Sequence, residues 1–269
     1  MKNLSPLTQK KTLIFFSFLF LCLLAAIAYS IFLKKEVANT LISPVRVVHK
    51  SSPVAEKNTY TVSEKDPSYE ISLTLPHIVG TDMGAITAND TIKKYYEAKI
   101  LSFKKGIDST LTENHATDIP VRASVYSADT TIVYEDTKLT SFLVSEFFDL
   151  EGSVHPSHTG MTFVYDKVGG KVMTLSDMYV INNAFYTKLE TFIYSDSAKN
   201  LEKVFEGKLT KDQTDWIKEG LSHKDQSFKN FTLSDTGITF YFDEYVLAPY
   251  TAGPQKSFIP FDTLKEFKK

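Results

Sequence analysis

At 269 residues, with 43% hydrophobic and 13% aromatic content, the chain can bury a sizeable core and carries too few charges for a disordered polymer. A formal net charge of −2 with no basic stripe argues against a nucleic-acid partner. Cys22 is the only cysteine, so the chain has no disulfide framework, and no thiolate chemistry is expected outside the segment that holds it.

Residues 1–12 form a short tail with Lys2, Lys10 and Lys11 and no acid. The run Leu13 to Leu33 is uncharged and almost wholly apolar, at the ~20 residues a helix needs to cross hydrocarbon, so it reads as a transmembrane helix. The lysine bias places the tail in the cytoplasm and everything after Leu33 outside it, in a single-pass cell-membrane protein. An alternative is cleavage after Ala28, because Ala26-Ile27-Ala28 is an A-x-A site; the apolar run continues past it, which favours an uncleaved anchor. Beyond the tail stand 27 basic and 32 acidic residues, a net of about −5, which suits a basic partner.

Residues 34–66 are polar, with Pro44 and Pro53 and no sustained period, and read as a linker. The alternation Tyr69 to Leu75, closed by Pro76, predicts a half-buried strand. From about Asn89 to Lys105, Ile92, Tyr95, Tyr96, Lys99, Ile100 and Phe103 recur at helical spacing; Asn89 or Asp90 is the expected cap and Gly106 the expected stop. Three β-rich runs, Val121 to Ala128, Thr131 to Glu135 and Leu139 to Phe148, predict an antiparallel meander. After a loop with Gly152, His155, Pro156 and His158, a strand is expected over Met161 to Tyr165, ending at Gly169-Gly170.

Helical patterning returns from Asn182 to about Lys218, with Phe185, Leu189, Phe192 and Ile193 on one face and Trp216 and Ile217 on a later short helix. Phe228 to Leu233 and Gly237 to Phe242 predict a hairpin turning at Asp235-Thr236-Gly237. The order of elements predicts an α+β fold, an antiparallel-rich sheet with helices packed on it, preceded by one N-terminal transmembrane helix. The expected divisions are 1–12, 13–33, 34–66, a first α/β module over 67–150 and a second over 151–269.

His155-Pro156-Ser157-His158 places two imidazoles where Asp149 or Asp166 could complete a metal site; the proline favours a turn, and the alternative is a loop histidine bonded to backbone. No G-x-S-x-G, HExxH or phosphate-cradling glycine loop is present, and no cofactor is expected. Asp243 and Glu244 are adjacent and read as a solvated strand end, a poor carboxylate pair for a glycosidase. The segment Phe242 to Pro254 sets two tyrosines among prolines, either as a rigid aromatic anchor for a partner or as a core-packing corner. Asn89-Asp90-Thr91 and Asn230-Phe231-Thr232 match the glycosylation sequon, which matters only in a eukaryotic secretory route.

Several of these motifs occur together in a pattern. Tyr69 to Leu75 with the Tyr95 to Phe103 helix, then Gly152-Ser153-Val154-His155-Pro156, then Phe163 to Asp177 with Gly169-Gly170 and Leu175-Ser176-Asp177, resemble an exported two-part domain. The most specific part is C-terminal: Phe242-Asp243-x-Tyr245, Ala248-Pro249-Tyr250 and Ile259-Pro260-Phe261. This pattern resembles the RsiV-like extracytoplasmic domain of anti-sigma-V factors, also found as the N-terminal part of certain peptidoglycan deacetylases, over about 200 residues. The resemblance implies a mixed α/β domain without catalytic activity, which in the anti-sigma factors binds lysozyme. The short tail is too small for a sigma-binding segment, and no deacetylase domain follows Lys269, so neither activity is expected here. What the resemblance implies is a receptor or inhibitor of a lysozyme-like muramidase, or a binder of a cell-wall component such as peptidoglycan, with His155, Tyr245, Pro249, Tyr250 and Gly253 as the partner-binding residues. A metal-assisted cell-wall hydrolase using His155 and His158, and a purely structural envelope protein, are the alternatives.

Overall fold

The structure is a computed structural model that describes residues 58–114 and 122–269. The tail, the Leu13 to Leu33 segment, the Ala28 site and most of the 34–66 linker lie outside the described residues. Among the described residues no helix is long and apolar enough to cross a membrane.

A six-stranded sheet of order β1-β2-β3-β4-β5-β6 comprises Thr59–Asp66, Tyr69–Pro76, Ser124–Glu135, Leu139–Asp149, Ser157–Asp166 and Lys171–Val172. Helix α1 (Met83–Asn114) crosses one face. The chain continues into a short helix α2 (Leu175–Met178), then α3 (Asn183–Val204) and α4 (Lys211–Leu221). It closes with a three-stranded antiparallel sheet, β7 (Phe231–Leu233), β8 (Gly237–Phe242) and β9 (Gln255–Pro260), and a final 3-10 segment, Phe261–Phe267. The fold is α+β, as the sequence predicts.

Several expectations change. The strand β1 falls inside the span read as linker: Tyr60 and Val62 alternate with Thr59, Thr61 and Ser63 and pair in register with Leu75 and Leu73, a weak period that becomes a strand only once β2 is there to complete its ladder. The sheet is mixed, because β2 and β3 pair in parallel, from Tyr69↔Ser124 to Leu73↔Ala128, with α1 as the crossover. Val121 lies outside the described residues; the remaining two runs before Glu135 are one strand, bulged between Ile132 and Tyr134.

Helix α1 begins earlier and runs through Gly106. Its cap is Asp82, whose carboxylate accepts from the Ala85 N–H at 3.0 Å. Asn89 does other work: its side chain accepts from the Ile78 N–H at 2.7 Å and donates to the Ile78 carbonyl at 2.9 Å, pinning the loop before the helix. Gly106 lowers helix propensity by only ~1 kcal/mol, and flanking Phe103 and Ile107 bury on the sheet, which outweighs it.

Two apolar clusters hold the layers. Under α1, Ile71, Leu73, Ile92, Tyr96, Phe103, Tyr126, Phe142 and Val144 pack between helix and sheet. Around α3, Phe185, Leu189 and Ile193 meet Ile217, Phe228, Ile238, Phe240 and Ile259. Each fully buried side chain of this size contributes about 1.5–3 kcal/mol. Within the first cluster sits an unforeseen polar knot: the fully buried Glu146 carboxylate accepts from Lys99 Nζ at 2.5 Å, the Tyr126 hydroxyl at 2.7 Å and the Thr159 hydroxyl at 3.1 Å. Burial and the neighbouring Glu146 charge push the Tyr126 and Tyr96 phenols far above the ordinary range.

Strand directions give the sheet two ends. Asn58, the loop from His77 to Asp82, the start of α1, and the turns at Asp136–Lys138 and Lys167–Gly170 lie at one. The loop 150–156 lies at the other, a length of about 35 Å away along β4 at ~3.3 Å per residue.

Candidate functional site

Among the described residues no strand lies on the outer side of the far half of β5, because β6 pairs only with Tyr165 and Asp166. Such an edge leaves N–H and C=O groups to be satisfied in some other way. The turn after β8 supplies it: Asp243 Oδ1 accepts from the Gly160 N–H at 2.7 Å, and Glu244 Oε2 from the His158 N–H at 3.0 Å. Asn230 Nδ2 donates to the Gly160 carbonyl at 2.9 Å.

The expectation of a solvated Asp243–Glu244 strand end is therefore wrong. The two residues lie past the end of β8, in a turn where the Val246 N–H bonds the Asp243 carbonyl at 3.2 Å, so adjacent side chains reach donors two residues apart on one edge. The Glu244 side chain is only 6% exposed. Burial raises the Asp243 carboxyl above its ordinary value, against the opposing effects of the Gly160 bond, Lys99 and Lys229.

Past this clamp the chain turns outward. Tyr245 adopts a left-handed backbone conformation, φ 65, and its carbonyl accepts from Trp216 Nε1 at 2.9 Å. Gly220 of α4 permits that approach, since a Cβ there would lie 2.0 Å from the Val246 carbonyl oxygen. Leu247 and Ala248 then bury in the second cluster, anchoring the loop from below. Pro249 starts a 3-10 turn, Tyr250–Ala252, which Gly253 ends at φ 66.

Three rings from two distant segments meet on this loop. His155 stacks on Tyr250 with centroids 3.9 Å apart and planes 25° from parallel. Its Nε2 pairs with the Tyr245 hydroxyl at 2.8 Å and its Nδ1 with the Pro156 carbonyl at 2.9 Å. Tyr245 and Tyr250 lie 6.0 Å apart, centroid to centroid. Tyr245 is 48% exposed, and Val154 beside His155 is almost entirely so. Partial burial, followed by the Glu244 and Tyr245 charges, raises the Tyr250 phenol.

Thus His155, Tyr245 and Tyr250 touch, and Pro249 and Gly253 frame the 3-10 turn that presents Tyr250. Sequence reasoning missed Trp216, Gly220 and the Asp243–Glu244 clamp. Only the pairing of an exposed tryptophan with a helical glycine four residues on hinted at a contact for α4. The two histidines part company: His158 Nδ1 faces Glu244 Oε1 at 2.9 Å while His155 faces the tyrosines. Among the described residues no group of three His, Cys, Asp or Glu side chains is placed to hold a metal ion. Both sequon asparagines are tied to backbone, Asn89 to Ile78 and Asn230 to Gly160.

Residues 176–262 match the family described as Protein of unknown function (DUF3298), which takes in α3, α4, the small sheet and the aromatic loop. The chain is 23% identical over 181 residues to the peptidoglycan-N-acetylmuramic acid deacetylase PdaC of Bacillus subtilis (strain 168), covering 67% of this chain. It spans only 36% of that relative's length. A DUF3298 family protein from Bacteroides fragilis NCTC 9343 has the same fold with a TM-score of 0.54 and 15% identity, over 78% of this chain and 92% of that one. Another from Pseudomonas aeruginosa PAO1 gives 0.52 and 14%, over 78% and 94%. The C-terminal part of the chain, including the aromatic loop, is thus similar to DUF3298 domains, and the fold is that of two solved members of that family.

Proposed function

We propose that the chain is a membrane-anchored extracytoplasmic recognition domain, without catalytic activity of its own, that engages a lysozyme-like muramidase or a cell-wall component. The observation that supports this most is the meeting of His155, Tyr245 and Tyr250 on a rigid, outward-facing loop whose base, Leu247 and Ala248, is sunk in the core. Pre-organised aromatic side chains lose little entropy on binding, which is why interfaces favour them. The similarity to a peptidoglycan deacetylase over two thirds of the chain supports a wall-directed role, and the acidic balance suits a basic protein partner.

A tyrosine covered by a partner removes ~100–200 Å² from water and contributes roughly 2.5–5 kcal/mol at ~25 cal/mol per Å², before ordering costs. The test is calorimetric titration of the compact unit Val54–Lys269 with hen lysozyme and with soluble peptidoglycan fragments. Saturable binding that Tyr250→Ala weakens by roughly 30-fold or more, with unfolding unchanged, supports the proposal. Binding of neither ligand, or binding that ignores the substitution, refutes it.

A further inference from the structure

Exposed apolar side chains concentrate at the end of the sheet opposite the aromatic loop. Among the described residues the most exposed large hydrophobics after Val154 are Val168 at 80%, Met83 at 74% and Val79 at 58%, and all three lie there. Ile86 joins them, one helical turn after Met83. The turn carrying Val168 is held against the start of α1, because Gly84 packs so tightly on Gly170 that a Cβ would come within 2.2 Å of the Gly170 carbonyl oxygen. None of the four side chains belongs to either core cluster. The described chain also enters at this end, where the His77 N–H bonds the Asn58 carbonyl at 2.8 Å.

We propose that this end rests on the lipid surface, with Val79, Met83, Ile86 and Val168 entering the headgroup region and the aromatic loop held about 35 Å above it. The inference rests on the membrane-anchored reading of Leu13 to Leu33. About 25 residues separate that run from Asn58, a reach of at most roughly 90 Å. Such a tether keeps the domain at an effective concentration of about millimolar at the bilayer, so four small insertions suffice without a strong free affinity. The charges nearby are Asp82, Glu135, Asp136, Asp166 and Asp177 against Lys138, Lys167 and Lys171, with Lys167 already paired to Glu135 and Lys171 to Asp177. Acids outnumber cations, so the contact is apolar and does not select anionic lipid.

The test uses the full chain in phosphatidylcholine vesicles, on a Cys22→Ser background, with an environment-sensitive label at Met83→Cys, Val168→Cys or Val154→Cys. A headgroup nitroxide lipid is expected to quench the Met83 and Val168 labels roughly twofold more than the Val154 label, independent of salt and of added anionic lipid. Equal quenching at all three positions, in protein that resists carbonate extraction, overturns the lipid contact alone. Quenching that salt abolishes overturns its apolar character. Protein that carbonate strips from the vesicles overturns the anchored reading and the contact with it.

Discussion

The clamp between the two sheets makes a quantitative prediction at Asp243. Its carboxylate is the acceptor for the Gly160 N–H on the uncovered edge of β5. Asp243→Ala leaves that donor without a partner in a half-buried position, at a cost of about 1–3 kcal/mol. For a domain of about 200 residues this lowers Tm by roughly 2–4 °C per kcal/mol. Asp243→Asn keeps an acceptor oxygen and removes a charge that burial disfavours, so it is expected to stay within about 1 kcal/mol of the parent at pH 7.

The pH dependence carries a sign. Because the folded carboxyl titrates above its ordinary value of 3.8, the folded state holds the proton over a window in which the unfolded state has released it. Stability from this group is greatest below that ordinary value and falls as pH rises through the raised one. Denaturant unfolding of the parent and of Asp243→Asn across acid pH reads the difference: the parent loses ground to the asparagine variant as pH rises. Equal stability of the alanine variant and the parent refutes the clamp, and a difference of the opposite slope refutes the dominance of burial over the Gly160 bond.

Other substitutions test separate joints. Gly220→Ala forces the Val246 backbone off α4, and is expected to weaken partner binding tenfold or more, at about 2 kcal/mol of stability, read by calorimetry and thermal unfolding. Asn89→Ala removes both bonds to the Ile78 backbone and is expected to cost about 2–4 kcal/mol in denaturant unfolding while leaving binding at the distant loop unchanged. Asp177 is lowered to about 2 by Lys171 and by the Thr174 cap; its stability contribution is present above 3.8 and lost as pH falls through about 2, a component that Asp177→Asn should lack in acid unfolding.

Much of the architecture was legible because it rests on period. The alternation of Tyr69 to Leu75 and the helical recurrence of Ile92, Tyr95, Tyr96 and Phe103 each announce one buried face, and both appear where expected. Element ends were less legible, because they depend on single side chains with competing uses. Asn89 looks like a cap in sequence, yet Asp82 caps and Asn89 pins Ile78, a choice made by the position of β2. Strands β1 and β9 were missed for a related reason: each alternates weakly, with exposed residues between half-buried ones in β1 and buried ones in β9, and is held by pairing to a stronger neighbour.

At the site, family resemblance pointed to His155, Tyr245, Pro249, Tyr250 and Gly253, and the fold gathers them. Composition alone gave no reason for a histidine in the β4–β5 loop to meet a tyrosine 90 residues later. Asp243 and Glu244 were misjudged because strand alternation was extended two residues too far: beyond Phe242 the backbone turns, and two adjacent carboxylates face the same edge. The buried Glu146 was invisible in sequence, since Lys99, Tyr126 and Thr159 reach it from three different elements.

The central claim is that the aromatic loop is the recognition surface. Hydrogen exchange of the domain, with and without saturating hen lysozyme or peptidoglycan fragments, tests it most directly. The account predicts new protection over residues 151–158 and 243–256, none at the 136–138 and 166–170 turns, and loss of that pattern in Tyr250→Ala. Protection centred elsewhere, with 151–158 and 243–256 unaffected by a bound ligand, contradicts it.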